Sequence, residues 1–288
     1  MNNTNENARL DKTVINWYPG HMAKTRRELK EKISLIDVVY EVIDARMPKS
    51  SRIVDIDSVI GNKKRIMVVT KYDLCDKKET DKILTTYKDK YDVVKCNLLN
   101  NEGVKELINC TLKYSRELNE ERKKKGLKNR PIRVLTVGVP NVGKSTLIND
   151  LVKKKAAKTG DKPGVTTSIS WIRINSDIEL LDSPGILWPG SIDSETMSTL
   201  ASFSSVKEQI VDKEYLARFI VEKLYELYKE RLEERYDLEK IDLEYVFDMI
   251  AKSKNIYTKG SQIDYEKVYT KIINDFKNGY FGEITLDR

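Results

Sequence analysis

Short runs of apolar residues alternate with helix-like stretches along the first two-thirds of this sequence. The runs are rich in β-branched residues and almost continuously apolar, as strands covered on both faces are; they occupy residues 37–44, 65–70, 91–96, 132–138, 170–174 and 178–182. Helical stretches near residues 77–90, 102–122 and 144–154 separate several of them. Strands that alternate with helices predict a mostly parallel sheet in an α/β domain.

The pattern changes near residue 190. Residues 213–236 place apolar side chains three and four positions apart, which predicts an amphipathic helix, and residues 242–253 and 263–277 repeat the pattern. We therefore expect two domains, an α/β domain at residues 1–190 and a small all-α C-terminal domain at residues 191–288. Within the first domain we predict a helix with a basic face at residues 21–34 and a basic connector at residues 121–131.

The net charge divides along the same boundary. The chain of 288 residues has 52 Lys and Arg against 45 Asp and Glu, a net charge of +7. Residues 1–190 hold 37 basic and 25 acidic residues, or +12, and residues 191–288 hold 15 and 20, or −5, which together restore +7. A basic first domain is compatible with a polyanionic partner and equally with lysine-rich, solvated surfaces.

Composition excludes several classes of protein. The three cysteines have no CxxC spacing, which argues against a disulfide framework or a zinc site, and His21 is the only histidine. No run approaches the ~18 apolar residues of a membrane span, and the polar N-terminus lacks the apolar stretch of a secretory signal. We expect a cytoplasmic protein without membrane association.

The clearest chemical motif is the sequence GVPNVGKS at residues 138–145, which follows a predicted strand and opens a predicted helix. This context is the one that a phosphate-binding P-loop requires, because backbone amides and the helix N-terminus then face the phosphates. Lys144 is expected to reach the β- and γ-phosphates and Ser145 to ligate Mg²⁺. The nucleotide-binding residues predicted here are Asn141, Val142, Gly143, Lys144, Ser145 and Thr146.

Two further motifs indicate that the base is guanine. In TKYD, residues 70–73, Asp73 would accept hydrogen bonds from guanine N1–H and the exocyclic amine, which adenine does not offer, and Lys71 would pack along the base. Thr70 stands where such motifs usually have Asn, and its hydroxyl is expected to bridge neighbouring loops instead. In NLLNNEG, Asn97 and Leu98 are predicted to line the base, with the Leu98 amide donating to guanine O6.

The remaining loops would bind Mg²⁺ and the γ-phosphate. Asp182 of DSPG is predicted to hold Mg²⁺, the Gly185 amide to face the γ-phosphate, and Thr166 of KPGVTT to serve both. All these motifs follow predicted strands, where open α/β sheets bind ligands. The guanine motifs precede the P-loop, the reverse of the usual order, so we predict a P-loop NTPase domain of permuted Ras-like topology followed by the all-α domain.

With these motifs in this order, the chain resembles the circularly permuted GTPases of the ribosome biogenesis GTPase A family. The resemblance covers nearly the whole sequence and is carried by residues 16–30 (NWYPGHMAKTRRELK), 44–48 (DARMP), the TKYD, GVPNVGKST and KPGVTTS motifs, and residues 182–189 (DSPGILWP). It implies a GTP-hydrolysing factor that acts late in assembly of the large ribosomal subunit. Such a factor binds the precursor particle, with its rRNA and ribosomal proteins, and leaves after hydrolysis.

The hydrolytic group is less evident. Ile186 follows DSPG where many GTPases place a water-orienting Gln. His21, in the PGHM sequence typical of the family, is the candidate for positioning the attacking water, against a purely structural role for the same side chain. Asn141 suggests a K⁺ ion beside the phosphates, although an Asn at this position can also simply stabilise the loop.

Two other functions stay open on the sequence alone. One is a GTP-gated RNA-binding module in which hydrolysis is incidental, and the other is a GTPase that acts on another RNA such as tRNA. Off the ribosome we expect a monomer. The cofactors expected are GTP or GDP, Mg²⁺ and K⁺.

Overall fold

A computed structural model describes residues 27–53, 56–153, 170–183, 192–206 and 211–287. Clustering of contacts divides the chain into two compact units: one contains Tyr18–Ser191 and Asp287, and the other contains Ile192–Leu286. The first unit is α/β and the second is all-α. Residues 21–26 of the predicted helix at residues 21–34 lie outside the described residues; residues 27–32 are helical and lead into a 3₁₀ turn at Ile33–Leu35.

Six strands form one sheet in the first unit. They are β1 (Val38–Asp44), β2 (Lys64–Thr70), β3 (Asp92–Lys95), β4 (Ile132–Val137), β5 (Ser170–Arg173) and β6 (Ile178–Asp182). Their order across the sheet is β3-β2-β1-β4-β6-β5, and every neighbouring pair is parallel except β5 with β6. The predicted mostly parallel sheet is confirmed, and each predicted strand is present within two residues of its expected ends.

Burial explains the near-continuous apolar runs. Every residue of β1 is buried, and β2 is buried from its second residue onward. A core cluster joins the two strands through Ile43, Met67 and Val69, together with Leu84 of the following helix. A strand with helices on both faces has no solvent side, so its sequence loses the polar alternation that marks a one-sided sheet.

Helices connect the parallel strands. They are α1 (Asp57–Ile60), α2 (Lys77–Lys88), α3 (Val104–Lys124) and α4 (Lys144–Lys153). The single turn α1 is absent from the sequence-based prediction. The prediction of a connector from residue 121 was wrong for its first four residues, because α3 runs on to Lys124.

The second unit is helical, as predicted for this part of the chain. Its helices are α5 (Ser194–Ser202), α6 (Lys213–Tyr236), α7 (Val246–Ser253) and α8 (Tyr265–Lys277). The sequence-based prediction missed α5 and started α7 four residues too early. Aspartates cap three of the four helices by accepting a hydrogen bond from a backbone N–H of the first turn: Asp193, Asp212 and Asp264.

The long helix α6 is not continuous. Tyr228 has non-helical backbone angles, φ −147° and ψ 44°, and divides α6 into two pieces. Its hydroxyl accepts a hydrogen bond from the Thr285 N–H at 2.8 Å and donates to the Thr285 carbonyl at 3.2 Å. An aromatic cluster of Phe203, Phe276 and Phe281 packs in the core of the same unit. In the described part of the chain, no helix has both the length and the apolar character needed to cross a membrane.

Candidate nucleotide-binding site

Five parallel strands end at one edge of the sheet, and most of the predicted site residues in the described ranges lie there. The P-loop follows β4, the TKYD motif begins at the last residue of β2, and Asn97 comes two residues after β3. Asp182 is the last residue of β6. Parallel strands alone create this clustering, because all their carboxyl ends face the same way.

The P-loop approaches β1 too closely for any side chain at its first position. A Cβ placed on Gly138 would lie 2.5 Å from the Val42 carbonyl oxygen. Two other residues of the loop, Asn141 and Gly143, have left-handed backbone angles, with φ of 60° and 96°. Alternation of left- and right-handed residues turns successive amides inward, the geometry that cradles anions.

Lys144 lies across this loop. It is buried, with 7% of its surface exposed, and its Nζ donates to the carbonyl oxygens of Gly138 at 3.0 Å and Val139 at 2.8 Å. Burial lowers the pKa of Lys144 from 10.5 to about 8, although the Asp182 carboxylate acts in the opposite direction. Because the Lys144 ammonium group is already removed from water, it pays little further desolvation cost when it binds phosphate oxygens.

Thr70 connects the guanine motif to the P-loop. Its hydroxyl is fully buried, 2.9 Å from the Ile43 carbonyl oxygen and 2.5 Å from the Val142 carbonyl oxygen, and its single proton serves one of the two at a time. A Cβ on Gly143 would lie 3.6 Å from Thr70 and 3.5 Å from Leu98. The P-loop therefore lies against Thr70 of one predicted guanine loop and close to Leu98 of the other.

Lys71 makes a second connection, and it depends on a residue outside the predicted site. Lys71 has a left-handed φ of 55°, and its Nζ donates to the Asn141 carbonyl at 2.8 Å and to the Asp44 carboxylate at 2.8 Å. The same carboxylate accepts three hydrogen bonds from Arg46, at 3.0, 3.0 and 2.8 Å. Burial opposes ionisation of Asp44, but Arg46 and then Lys71 outweigh it and hold its pKa below 3.8.

The position of Asp44 in the sequence could have identified it as a site residue. It is the last residue of β1, and the parallel register places it opposite Thr70, the last residue of β2. An ionisable residue at the end of a buried strand, at the edge where the other motifs end, is the signal that could have identified it.

The base-recognition loops are shaped by their own hydrogen bonds. Asn97 and Glu102 exchange backbone hydrogen bonds at 3.2 and 3.0 Å, and the Asn97 side chain accepts from the Leu99 N–H at 3.0 Å. The Tyr72 N–H donates to the Cys96 carbonyl, which ties the TKYD loop to the end of β3. Asp73 is half-buried, and its carboxylate has no hydrogen-bond or ion-pair partner within the described ranges, so it can accept donors from a base.

The oxygen donors present fit Mg²⁺. Ser145 and Thr146 are exposed in the first turn of α4, whereas Asp182 is buried and close enough to Lys144 to influence its pKa. Mg²⁺ prefers one or two protein oxygens supplemented by phosphate and water rather than an all-protein cage. No group of three or more His, Cys, Asp or Glu residues suited to hold a metal occurs among the described residues. His21, Thr166 and Gly185 lie outside those residues.

Comparison with known proteins agrees with this architecture. A family described as "50S ribosome-binding GTPase" matches residues 133–249, so its match starts at β4 and excludes the guanine motif at residues 70–73 that precedes it. The structure of GDP-bound TM YlqF is 25% identical and covers 91% of this chain and 99% of its own, with a TM-score of 0.63. GNP-bound YlqF from T. maritima is also 25% identical, covers 92% and 98%, and has a TM-score of 0.61.

The sheet, the P-loop and the permuted order of motifs define a circularly permuted P-loop GTPase, an enzyme that binds guanine nucleotide and hydrolyses GTP. Ribosome biogenesis GTPase A of Bacillus licheniformis is 42% identical over 278 residues, which span 96% of this chain and 98% of that protein. The chain belongs to the ribosome biogenesis GTPase A family.

Proposed function

We propose that this GTPase is an assembly factor for the large ribosomal subunit, which binds the precursor particle with GTP and leaves it after hydrolysis. The observation that carries the proposal is the connected nucleotide site: Lys71 joins the guanine loop to the P-loop, within a chain that matches ribosome biogenesis GTPases over almost its whole length. The description "50S ribosome-binding GTPase" of the matching family supports the large subunit as partner.

In this proposal the described residues divide the work by position. Asp73 accepts from guanine, with Lys71 along the base and Asn97 and Leu98 beside it. Lys144 moves from the loop carbonyls to the β- and γ-phosphates, and amides of the P-loop, from Asn141 to Thr146, surround them. Ser145, Thr166 and Asp182 would hold Mg²⁺, which would neutralise phosphate charge. Thr166 and the Gly185 amide complete the γ-phosphate site.

Many GTPases have a water-orienting Gln at the position that Ile186 occupies here, and His21 would position the attacking water instead. The support is chemical, since this is the only histidine of the chain and lies in the PGHM sequence of the family. His21→Ala should lower the rate of GTP hydrolysis and leave GTP affinity close to wild type. Equal hydrolysis rates in the two proteins would rule out the role.

Asn141 would help to hold K⁺ beside the β- and γ-phosphates, where a monovalent cation can stabilise charge that develops during hydrolysis. Asn141 is exposed and has a left-handed φ of 60°. Hydrolysis should therefore be faster in KCl than in NaCl at equal ionic strength. The same rate in both salts would exclude the ion.

The proposal includes a cytoplasmic, monomeric protein with domains at residues 1–190 and 191–288. Co-sedimentation with purified large subunits and their precursors, in GDP and in a non-hydrolysable GTP analogue, tests it. We expect co-sedimentation with the analogue and release with GDP. Equal binding with GDP and with the analogue would contradict the proposal, and so would tighter binding to tRNA than to the subunits. Binding that requires GTP, without stimulation of hydrolysis by the subunits, would favour the RNA-binding module instead.

A further inference from the structure

The most basic stretch of the described chain is the turn between α3 and β4, residues 122–130, called the basic turn below. It contains six basic residues and no acidic one: Arg122, Lys123, Lys124, Lys125, Lys128 and Arg130. Lys123, Lys124, Lys125 and Lys128 are exposed, and none of their ammonium groups has an ion-pair or hydrogen-bond partner within the described ranges. Of the other lysines of this unit, Lys82 and Lys95 are paired with carboxylates, and the lysines without an ion-pair partner in the described ranges include Lys78, Lys88 and Lys105, which lie apart from one another along α2 and α3.

The backbone that carries these lysines is held by several hydrogen bonds. The helix ends with the Leu127 N–H donating to the Arg122 carbonyl at 2.9 Å, and Gly126 takes a left-handed φ of 70°. Arg122 Nε donates to the Lys128 carbonyl at 2.9 Å. The exposed lysines therefore project from a fixed turn, which lowers the conformational entropy lost on binding a partner.

The far end of the turn is also anchored. The Asn119 side chain accepts from the Arg130 N–H at 3.0 Å and donates to the Arg130 carbonyl at 3.1 Å. The Arg130 guanidinium forms two hydrogen bonds with Asp37, at 2.7 and 2.8 Å. The two arginines are thus used to build the turn, and the four lysines are left to face solvent.

The basic turn lies at the edge of the sheet away from the nucleotide site, because β4 starts at Ile132 there and ends at the P-loop. At the same edge the Arg133 guanidinium lies 5.4 Å from the ring centre of Trp171, which is 41% exposed. In the strand register Arg173 of β5, which is exposed, and Arg133 of β4 both lie opposite Glu179 of β6, and the Arg133 guanidinium forms an ion pair with Glu179 at 3.5 Å. An exposed indole beside the Arg133 guanidinium extends the surface, while Glu179 offsets part of the charge of Arg133.

Helix capping does not account for this arrangement. Lysines in a last helical turn gain about 0.3–1 kcal/mol from the helix dipole, an effect that fades beyond that turn. Lys125 and Lys128 follow the last helical residue, Lys124, so they gain little from it. Exposed lysines that form no ion pair within the described ranges, although Glu120 and Glu121 precede them on α3, instead suit a partner that is itself a regular array of negative charge, such as RNA phosphates.

We infer that the basic turn docks on the sugar–phosphate backbone of ribosomal RNA, with Trp171 and Arg133 beside it, while the opposite edge of the sheet holds GTP. The inference rests on the proposed ribosomal function and names the surface of the α/β unit that meets RNA. Recognition is by charge and shape and reads no bases, because lysines offer no fixed hydrogen-bonding pattern.

The test is the salt dependence of binding by full-length protein loaded with a non-hydrolysable GTP analogue. The probes are purified large ribosomal subunits and the same ribosomal RNA freed of protein. One triple variant carries Lys123→Gln, Lys125→Gln and Lys128→Gln. The matched control loses the same charge at three exposed lysines of α2 and α3 that also lack ion-pair partners in the described ranges, through Lys78→Gln, Lys88→Gln and Lys105→Gln.

Each lost phosphate contact reduces the slope of log affinity against log salt by about 0.7–0.9. The basic-turn variant should therefore lose about 2–3 units of slope and roughly tenfold or more in affinity on both probes. The control variant should match wild type, and both variants should bind GDP normally, which verifies their folding.

Other outcomes overturn the inference in distinguishable ways. If wild type binds and the two variants behave alike, the docking surface is wrong and the proposed function stands. Weaker binding to subunits with unchanged binding to free RNA would assign the turn to a ribosomal protein. If wild type binds neither probe, the proposed ribosomal function and the inference both fail.

Discussion

Replacing Asp44 by Asn removes the negative charge that holds Lys71 at the junction of the guanine loop and the P-loop. The wild-type carboxylate is fully buried and accepts one hydrogen bond from Lys71 and three from Arg46. Breaking a buried pair from one side costs about 3–5 kcal/mol. The partners here have 13% and 27% of their side-chain surface exposed and can regain some hydration. We therefore expect a loss of about 2 kcal/mol in stability.

Two assays follow the consequences of Asp44→Asn. Urea unfolding should show the loss in stability, or a melting temperature lower by roughly 4–8 °C in a unit of this size. Titration with GDP should show roughly tenfold weaker binding, because a Lys71 no longer fixed by Asp44 must be ordered when nucleotide binds.

The stability difference also has a defined pH dependence. Because the pKa of Asp44 lies below 3.8 in the folded protein, its contribution is complete above pH 3.8 and is lost as pH falls through the lowered value. The difference between wild type and Asp44→Asn should thus be constant from neutral pH down to mildly acidic pH and shrink only in stronger acid.

Asp37, which directly precedes the first residue of β1, provides the matched control. Its carboxylate accepts two hydrogen bonds from the Arg130 guanidinium and one from the Arg133 N–H. Asp37→Asn should destabilise the protein and leave GDP affinity within about twofold. If Asp44→Asn also leaves GDP affinity unchanged, Asp44 supports the fold alone and the argument for its role in positioning Lys71 is refuted.

Three further substitutions test other parts of the site. Thr70→Val should weaken GDP binding several-fold and cost about 1–2 kcal/mol in urea unfolding, since it removes a buried hydroxyl donor, whereas Thr70→Ser should match wild type. Gly138→Ala should cost about 1–3 kcal/mol and impair GDP binding, because its methyl group would lie 2.5 Å from a strand carbonyl. Gly260→Ala, where the nearest atom is 3.8 Å away, should be neutral. Asp73→Asn should exchange guanine for xanthine preference in nucleotide titrations, by at least about 100-fold, because an amide donates where guanine's amine needs an acceptor.

The sheet was predictable because its strands carry strong local signals. Buried parallel strands read as unbroken apolar runs, and the P-loop glycines mark the end of β4, so periodicity and turn chemistry suffice to locate them. The short helix α5 was missed although Asp193 is a usable N-cap signal, because nine residues provide little periodicity. The break in α6 at Tyr228 coincides with hydrogen bonds between its side chain and Thr285, 57 residues away, which no local pattern contains.

The candidate site divides in the same way. Residues whose role follows from a motif, such as Lys144 and Asp73, are found from spacing and context. Asp44 is different, because its importance comes from the register of β1 against β2 and from two cations that the fold brings to one carboxylate. A tertiary arrangement of this kind becomes visible only when the strand order is known.

In the proposed function, ribosomal particles are the setting in which this GTPase acts. The most direct test is the rate of GTP hydrolysis by the purified protein, alone and with purified large ribosomal subunits. Ile186 in place of the water-orienting Gln predicts slow hydrolysis by the protein alone, and the subunits should raise the rate by roughly tenfold or more. The same rate with and without subunits would contradict the account.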